Sequence, residues 1–226
     1  MACFGLMDDH EHDHEQGDKA PIGVMPKNRV EALVDGIFGV AMTLLVLDVK
    51  IPQGLGRLTD EQIIARLIDL SANFRIYFIS FVMLGLFWIG HHVEFHFVRN
   101  VDRRLLWINL VLLFGVTMVP FSTSLLGEYG DVRTPAIVYG INLILVASMY
   151  WLQLEYLQRH PHLASGALTR TAALRFKRRA IIFLLVPALS IVVAFFLPSL
   201  AGHLYFIVIV LAIVQSRIDK LTRPID

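Results

Sequence analysis

Apolar residues run along the chain in six stretches, at about 29–51, 68–93, 104–126, 135–157, 180–198 and 200–218. A membrane helix takes about 20 such residues to cross the roughly 30 Å hydrocarbon layer, so each stretch predicts one span. The last two flank "LPSLAGH", where Pro198 and Gly202 mark a tight re-entry. One helix of about 39 residues would instead reach about 58 Å, far beyond a single crossing. The pattern predicts an all-α membrane protein with six transmembrane helices over residues 29–218. Polar tails are expected at 1–28 and 219–226.

Composition supports that class. The chain is 56% hydrophobic and 17% charged, whereas soluble domains carry about 25% charged residues. The distribution of cations says more than the net charge of +1. Of the 20 Lys and Arg, Arg75 falls within span two, and Lys50, Arg57, Arg66 and Arg133 lie on one side of the spans. The others lie on the opposite side, in the front tail, the connections after spans two and four, and the last residues. That asymmetry predicts both termini in the cytoplasm. The basic segment "LTRTAALRFKRRA" before span five reads as an amphipathic helix at the inner leaflet, its cations drawn to anionic headgroups. Its expected role is topogenic rather than regulatory. The front tail, with "DDHEHDHEQGDKAP", reads as disordered and lacks the pattern of a cleavable signal peptide. Cys3 is the single cysteine, so no intrachain disulfide is possible.

Span one, "RVEALVDGIFGVAMTLLVLDVKIP", combines an apolar body with Arg29, Glu31, Asp35 and Thr43. At about 100° per residue, Gly36, Val40, Thr43, Leu44 and Leu47 share one narrow stripe, with Asp35 and Glu31 on the far side. Such a stripe either packs on neighbouring helices, the commoner case, or lines a narrow pore with a hydrophobic constriction. Periodicity leaves both open. An ionisable residue inside a membrane segment normally faces a partner or water. Trp88 and His91, three residues apart near the end of span two, each offer an N–H. Arg29, Asp35, Trp88 and His91 are therefore expected to form a polar clamp tying span one to span two near the cytoplasmic end. His92 and His96 are expected at headgroup level.

Two other function classes are considered. "HHVEFH" crowds three histidines, but the remaining ones are scattered and no cluster completes a tetrahedral site, so no metal, cofactor or enzyme is expected. A small secondary transporter would keep paired broken helices at mid-membrane. Gly36, Gly39 and Pro187 give some plasticity, yet paired broken spans are not visible.

The pattern Arg29-x-x-x-Leu33-Val34-Asp35-Gly36 with the apolar stretch after it resembles the opening helix of the transmembrane-protein-175 potassium channels of lysosomes and bacteria. "WIGHH", "VDRRLLWINLVLLF" and "PFSTSLLGEYG" follow in the family's order, so the resemblance runs from about Arg29 to Tyr156. It implies a six-helix subunit assembling as a homotetramer, with helix 1 of each copy lining a central pore. It further implies a bacterial plasma-membrane setting, with K⁺ and the bilayer as partners and no nucleic acid. By the same resemblance the constriction falls on Val40, Leu44 and Leu47, with Thr43 as the selectivity-related hydroxyl. The chain departs from the family where Leu33 and Val34 replace Phe and Ser, and where Val40 replaces the usual isoleucine or leucine. The function implied is a modestly K⁺-selective leak channel without steep voltage dependence. A transporter or a proton-permeable channel is the alternative.

Overall fold

The computed structural model describes residues 26–47, 49 and 59–212. The tails at 1–25 and 213–226, and with them the end of the expected sixth span, lie outside the described residues. The helices among the described residues are α1 (Lys27–Leu47), α2 (Asp60–Asp69), α3 (Ser71–His96), α4 (Arg103–Thr117), α5 (Val119–Glu128), α6 (Arg133–Arg159), α7 (Arg170–Ala194) and α8 (Pro198–Ala212). No strand occurs among the described residues, as hydrocarbon demands of a chain that must satisfy its backbone internally.

Among the described residues, four apolar helices are long enough to cross a membrane: Lys27–Leu47, Asn73–His96, Arg103–Glu128 and Arg133–Arg159. The third of these is α4 running into α5. Pro120 has no N–H for the ladder, and the break falls at Met118, which ends α4 and precedes α5. The basic segment before span five is not a separate interfacial helix. Thr169 caps it through the Ala172 N–H at 3.2 Å, and α7 then runs without interruption from Arg170 to Ala194. The helix α2 falls in a connection where no helix was expected. It starts on a reciprocal capping box, in which Thr59 Oγ1 accepts from the Gln62 N–H and Gln62 Oε1 accepts from the Thr59 N–H.

Small residues set how closely the helices approach. A Cβ on Gly140 of α6 would come within 2.7 Å of Ile191 Cγ1 and 3.3 Å of the Pro187 carbonyl on α7. On Gly115 of α4 it would meet Val146 Cγ2 of α6 at 2.7 Å. Membrane helices use this device because lipid supplies little hydrophobic drive for their association. Hydrogen bonds hold the register. Ser80 of α3 pairs with the Tyr139 hydroxyl of α6 at 2.9 Å, and the Tyr150 hydroxyl donates to the Phe87 carbonyl at 2.6 Å. Both pairs advance in the same direction along α3 and α6, so these two helices are parallel.

At one end of the bundle the α3–α4 and α6–α7 connections are clipped together. Arg99 N–H donates to the Leu163 carbonyl at 2.7 Å, and Ser165 N–H to the Phe97 carbonyl at 2.7 Å. Asp102 serves both sides of the clip, accepting from the Leu105 N–H as the α4 cap at 2.8 Å and from the Tyr156 hydroxyl at 2.6 Å. This end gathers Arg99, Arg103, Arg104, Arg159 and the cations that open α7.

Gly140→Val should overpack the α6–α7 contact, at a cost of about 1–3 kcal/mol. The expected result is a lowered midpoint in thermal unfolding of the detergent-solubilised protein. Gly127→Ala, where an added Cβ meets nothing within 4 Å, should leave the midpoint unchanged or raise it. Equal midpoints for Gly140→Val and the parent would contradict the close approach.

Candidate functional site

The helix α1 has two sides of different character. Val30, Val34, Phe38, Ala41 and Leu45 recur at helical spacing and are all buried, packed against α3, α4 and α5. On the other side Val40, Leu44 and Leu47 are 57%, 43% and 64% exposed, and Thr43 is exposed beside them. About 100° per residue puts the two stripes well apart around the helix. From Val40 to Leu47 the uncovered stripe runs about 10 Å along the axis.

Each polar residue of α1 can be followed to its surroundings. Glu31 pairs with Lys27 one turn earlier at 3.6 Å. Asp35 Oδ1 accepts from Trp88 Nε1 at 2.8 Å, which joins the first half of α1 to the second half of α3. Thr43 Oγ1 donates to the Val40 carbonyl at 2.9 Å. That bond occupies the hydroxyl's only proton, and the oxygen keeps acceptor capacity for a cation or water on the exposed side. Arg29 makes no side-chain hydrogen bond or ion pair with another described residue.

His91 is buried, stacked on Phe95 at 4.2 Å and set edge-on to Tyr150 at 6.1 Å. Asp35 lies within electrostatic range of its ring, and Asn109 of α4 is its polar neighbour. Neither His91 Nε2 nor the Asn109 amide reaches a partner within ordinary hydrogen-bond geometry. Of the four residues expected to act together, the structure therefore bonds Asp35 to Trp88, places His91 nearby among aromatic rings, and leaves Arg29 apart. His92 lies beside Trp88, their ring centroids 6.3 Å apart.

Three polar residues escaped the sequence reading. Glu94, Asn109 and Gln153 are buried in α3, α4 and α6, and none of their side-chain oxygens has a hydrogen-bond partner among the described residues. The signal for Glu94 was present, since it sits inside "HHVEFH", where an acid in an apolar span is costly. No group of three or more His, Cys, Asp or Glu suited to a metal occurs among the described residues.

Comparison with known proteins places these features in a wider group. Residues 29–120, which contain the whole of α1 from Arg29 and extend through Trp88, His91 and Asn109, match the family described as "Endosomal/lysosomal potassium channel TMEM175". The chain is 32% identical over 198 residues to a potassium channel of Chryseobacterium sp. (strain P1-3), a match covering 87% of this chain and 97% of that one. It is 31% identical over 112 residues to the endosomal/lysosomal proton channel TMEM175 of Gallus gallus, covering 47% of this chain and 22% of that one. The crystal structure of a lysosomal potassium-selective channel TMEM175 homologue from Chamaesiphon minutus superposes with a TM-score of 0.68 at 27% identity. That superposition covers 84% of this chain and 96% of the other.

Trp88→Phe deletes the indole N–H and keeps an aromatic ring. It should lower stability by about 1 kcal/mol, as expected for one hydrogen bond to a carboxylate near the surface. Asp35→Ala made on top of it should cost less than it does in the parent, because the two residues share the interaction. Unfolding midpoints of the two single variants and the double variant give the coupling directly, and strictly additive effects would show that the bond contributes nothing.

Proposed function

The chain belongs to the TMEM175 family of ion channels, which are not enzymes, and from that premise we propose that it is a modestly K⁺-selective leak channel. Four copies surround an axis, and α1 of each turns Val40, Thr43, Leu44 and Leu47 towards it. The observation that carries this reading is the two-sided burial of α1. One stripe packs inside its own subunit, and the other is left as an apolar band with one hydroxyl. The potassium channels named among the relatives support the choice of ion. Each subunit crosses the membrane six times, through α1, α3, α4 with α5, α6, α7 and a last span beginning at Pro198. The setting is a bacterial plasma membrane with both termini in the cytoplasm. The basic end at the α3–α4 and α6–α7 clip supports that orientation.

The physical mechanism is that of an apolar constriction. Rings of Val40, Leu44 and Leu47 narrow the passage, and their lack of polar atoms resists wetting. The continuous helix offers no carbonyl ring, since its carbonyls are engaged within the helix. The Thr43 oxygens are then the polar atoms within the narrow stretch, with their protons already committed to Val40. K⁺ sheds part of its hydration at lower cost than Na⁺, and a modest preference follows. No described span carries the arginine series of a voltage sensor, so conduction is not steeply voltage-dependent. The bond from Trp88 to Asp35 clamps α1 to α3 and holds the constriction in register, with His91 packed close by. Proton permeation is the second reading, supported by the name of the Gallus gallus relative.

Single-channel recording in bilayers with K⁺ and Na⁺ on opposite sides should show passive current that favours K⁺. Leu44→Ala should raise conductance several-fold, and Thr43→Ala should reduce the K⁺ preference. Absence of current, or current indifferent to both changes, would overturn the pore assignment. A reversal potential that follows the proton gradient would favour the second reading. The clamp is tested separately. Asp35→Ala should shift the tetramer towards smaller species on size exclusion or hold the pore in one conductance state. Parent-like elution together with parent-like current would contradict its role.

A further inference from the structure

The basic end of the bundle carries more cations than its own acids match. Arg99, Arg103, Arg170 and Arg175 are exposed there and form no ion pair with a described residue. The carboxylates of the same end are engaged elsewhere. Asp102 accepts from the Leu105 N–H and the Tyr156 hydroxyl, Glu155 pairs with Lys177 and Arg159, and Glu31 pairs with Lys27. Glu94 is buried and does not reach the surface. Clustered like charges repel one another and draw in a counter-charge. Beside Arg170 a recess of about 400 Å³ opens between the end of α6 and the start of α7, lined in part by Gln158, Pro161, Ser165, Gly166 and Thr169.

The chain itself carries a matching segment. "DDHEHDHEQGD", Asp8 to Asp18, holds six carboxylates and no Lys or Arg. It leads into α1 at the end where the arginines lie. Asp35 meets Trp88, and Met42 lies 3.9 Å from the Cβ position of Gly85, so α1 and α3 are antiparallel and Lys27 starts level with the end of α3. Asp18 stands nine positions before Lys27, an extended reach of about 30 Å. Two neighbouring helix spacings come to about 20 Å, so the segment reaches the α3–α4 and α6–α7 clip of its own subunit. A single exposed ion pair is weak. The covalent tether, however, sets an effective concentration on the order of millimolar, and several pairs then act together.

We propose that residues 8–18 dock on the basic end of their own subunit, their carboxylates against Arg99, Arg103, Arg170 and Arg175 and a side chain in the recess beside Arg170. A guanidinium holds a carboxylate through paired N–H donors, which gives such a surface directional grip as well as charge. Anionic lipid headgroups are the competing occupant of the same arginines, and the experiment sets the two against each other. Docking is read without ion current, so it stands or falls apart from the proposed selectivity.

The test places a benzophenone side chain at Gln16 of the full chain, reconstituted in nanodiscs that contain phosphatidylglycerol. After irradiation, adducts mapped by mass spectrometry should fall on residues 97–104 or 158–175 of the same polypeptide. Their yield should drop several-fold in about 1 M KCl, where the screening length shrinks to about 3 Å. It should drop comparably when the six acids of the segment are changed to their amides, and again in Arg103→Gln combined with Arg170→Gln. Adducts chiefly to lipid, adducts joining isotopically heavy to light copies, or none on these residues would overturn the proposal. So would a yield indifferent to loss of the acids or to loss of the arginines.

Discussion

Val30, Val34, Phe38, Ala41 and Leu45 bury one side of α1 against α3, α4 and α5, and this contact sets the rotation of the helix about its own axis. Everything proposed for the opposite side depends on that rotation. A turn of one residue position, about 100°, would bring different side chains to the uncovered face and carry Thr43, Leu44 and Leu47 away from it together. Methyl and phenyl groups interlocked at five positions resist such a turn, because close-packed side chains have few alternative fits. The bond from Trp88 to Asp35 adds a directional constraint near the basic end, where the apolar stripe begins.

The frame behind α1 is tied together by hydrogen bonds between α3 and α6. Their parallel alignment is held at two levels, by Ser80 with Tyr139 and by Tyr150 with Phe87. Stacking of the Phe87 and Tyr150 rings at 5.7 Å supports the second level. Gly140 and Gly115 then let α7 and α4 close on α6 at backbone distance. Short polar bonds supply register and small residues supply proximity. Both matter more in lipid than in water, because apolar surface gains little by leaving lipid tails for a protein interior.

The same frame explains how the basic end is organised. Asp102 caps α4 and receives the Tyr156 hydroxyl, while the clip between the two connections ties the end of α3 to the start of α7. Glu155 holds Lys177 and Arg159 beside this junction. Lys177 is drawn in against Glu155, while Arg159 stays largely exposed.

Much of this was legible along the chain because hydrocarbon is a severe solvent. It forces apolar length into helices, so the four long helices fall where the apolar runs do, and the stripe of Val40, Thr43, Leu44 and Leu47 follows from helical period. The four-part order of motifs also identified the family before any fold was known. Local reading was weaker where packing or capping decides the outcome. It placed no helix at α2, set the basic segment of α7 apart, and did not see that Pro120 would divide span three at Met118. Whether Asp35 meets Trp88, and that Glu94, Asn109 and Gln153 lie buried while Arg29 stands aside, depends on contacts between helices far apart in sequence. Periodicity says which residues share a face; only the assembled helices decide which face is covered, because burial belongs to pairs of surfaces and not to one strand of sequence.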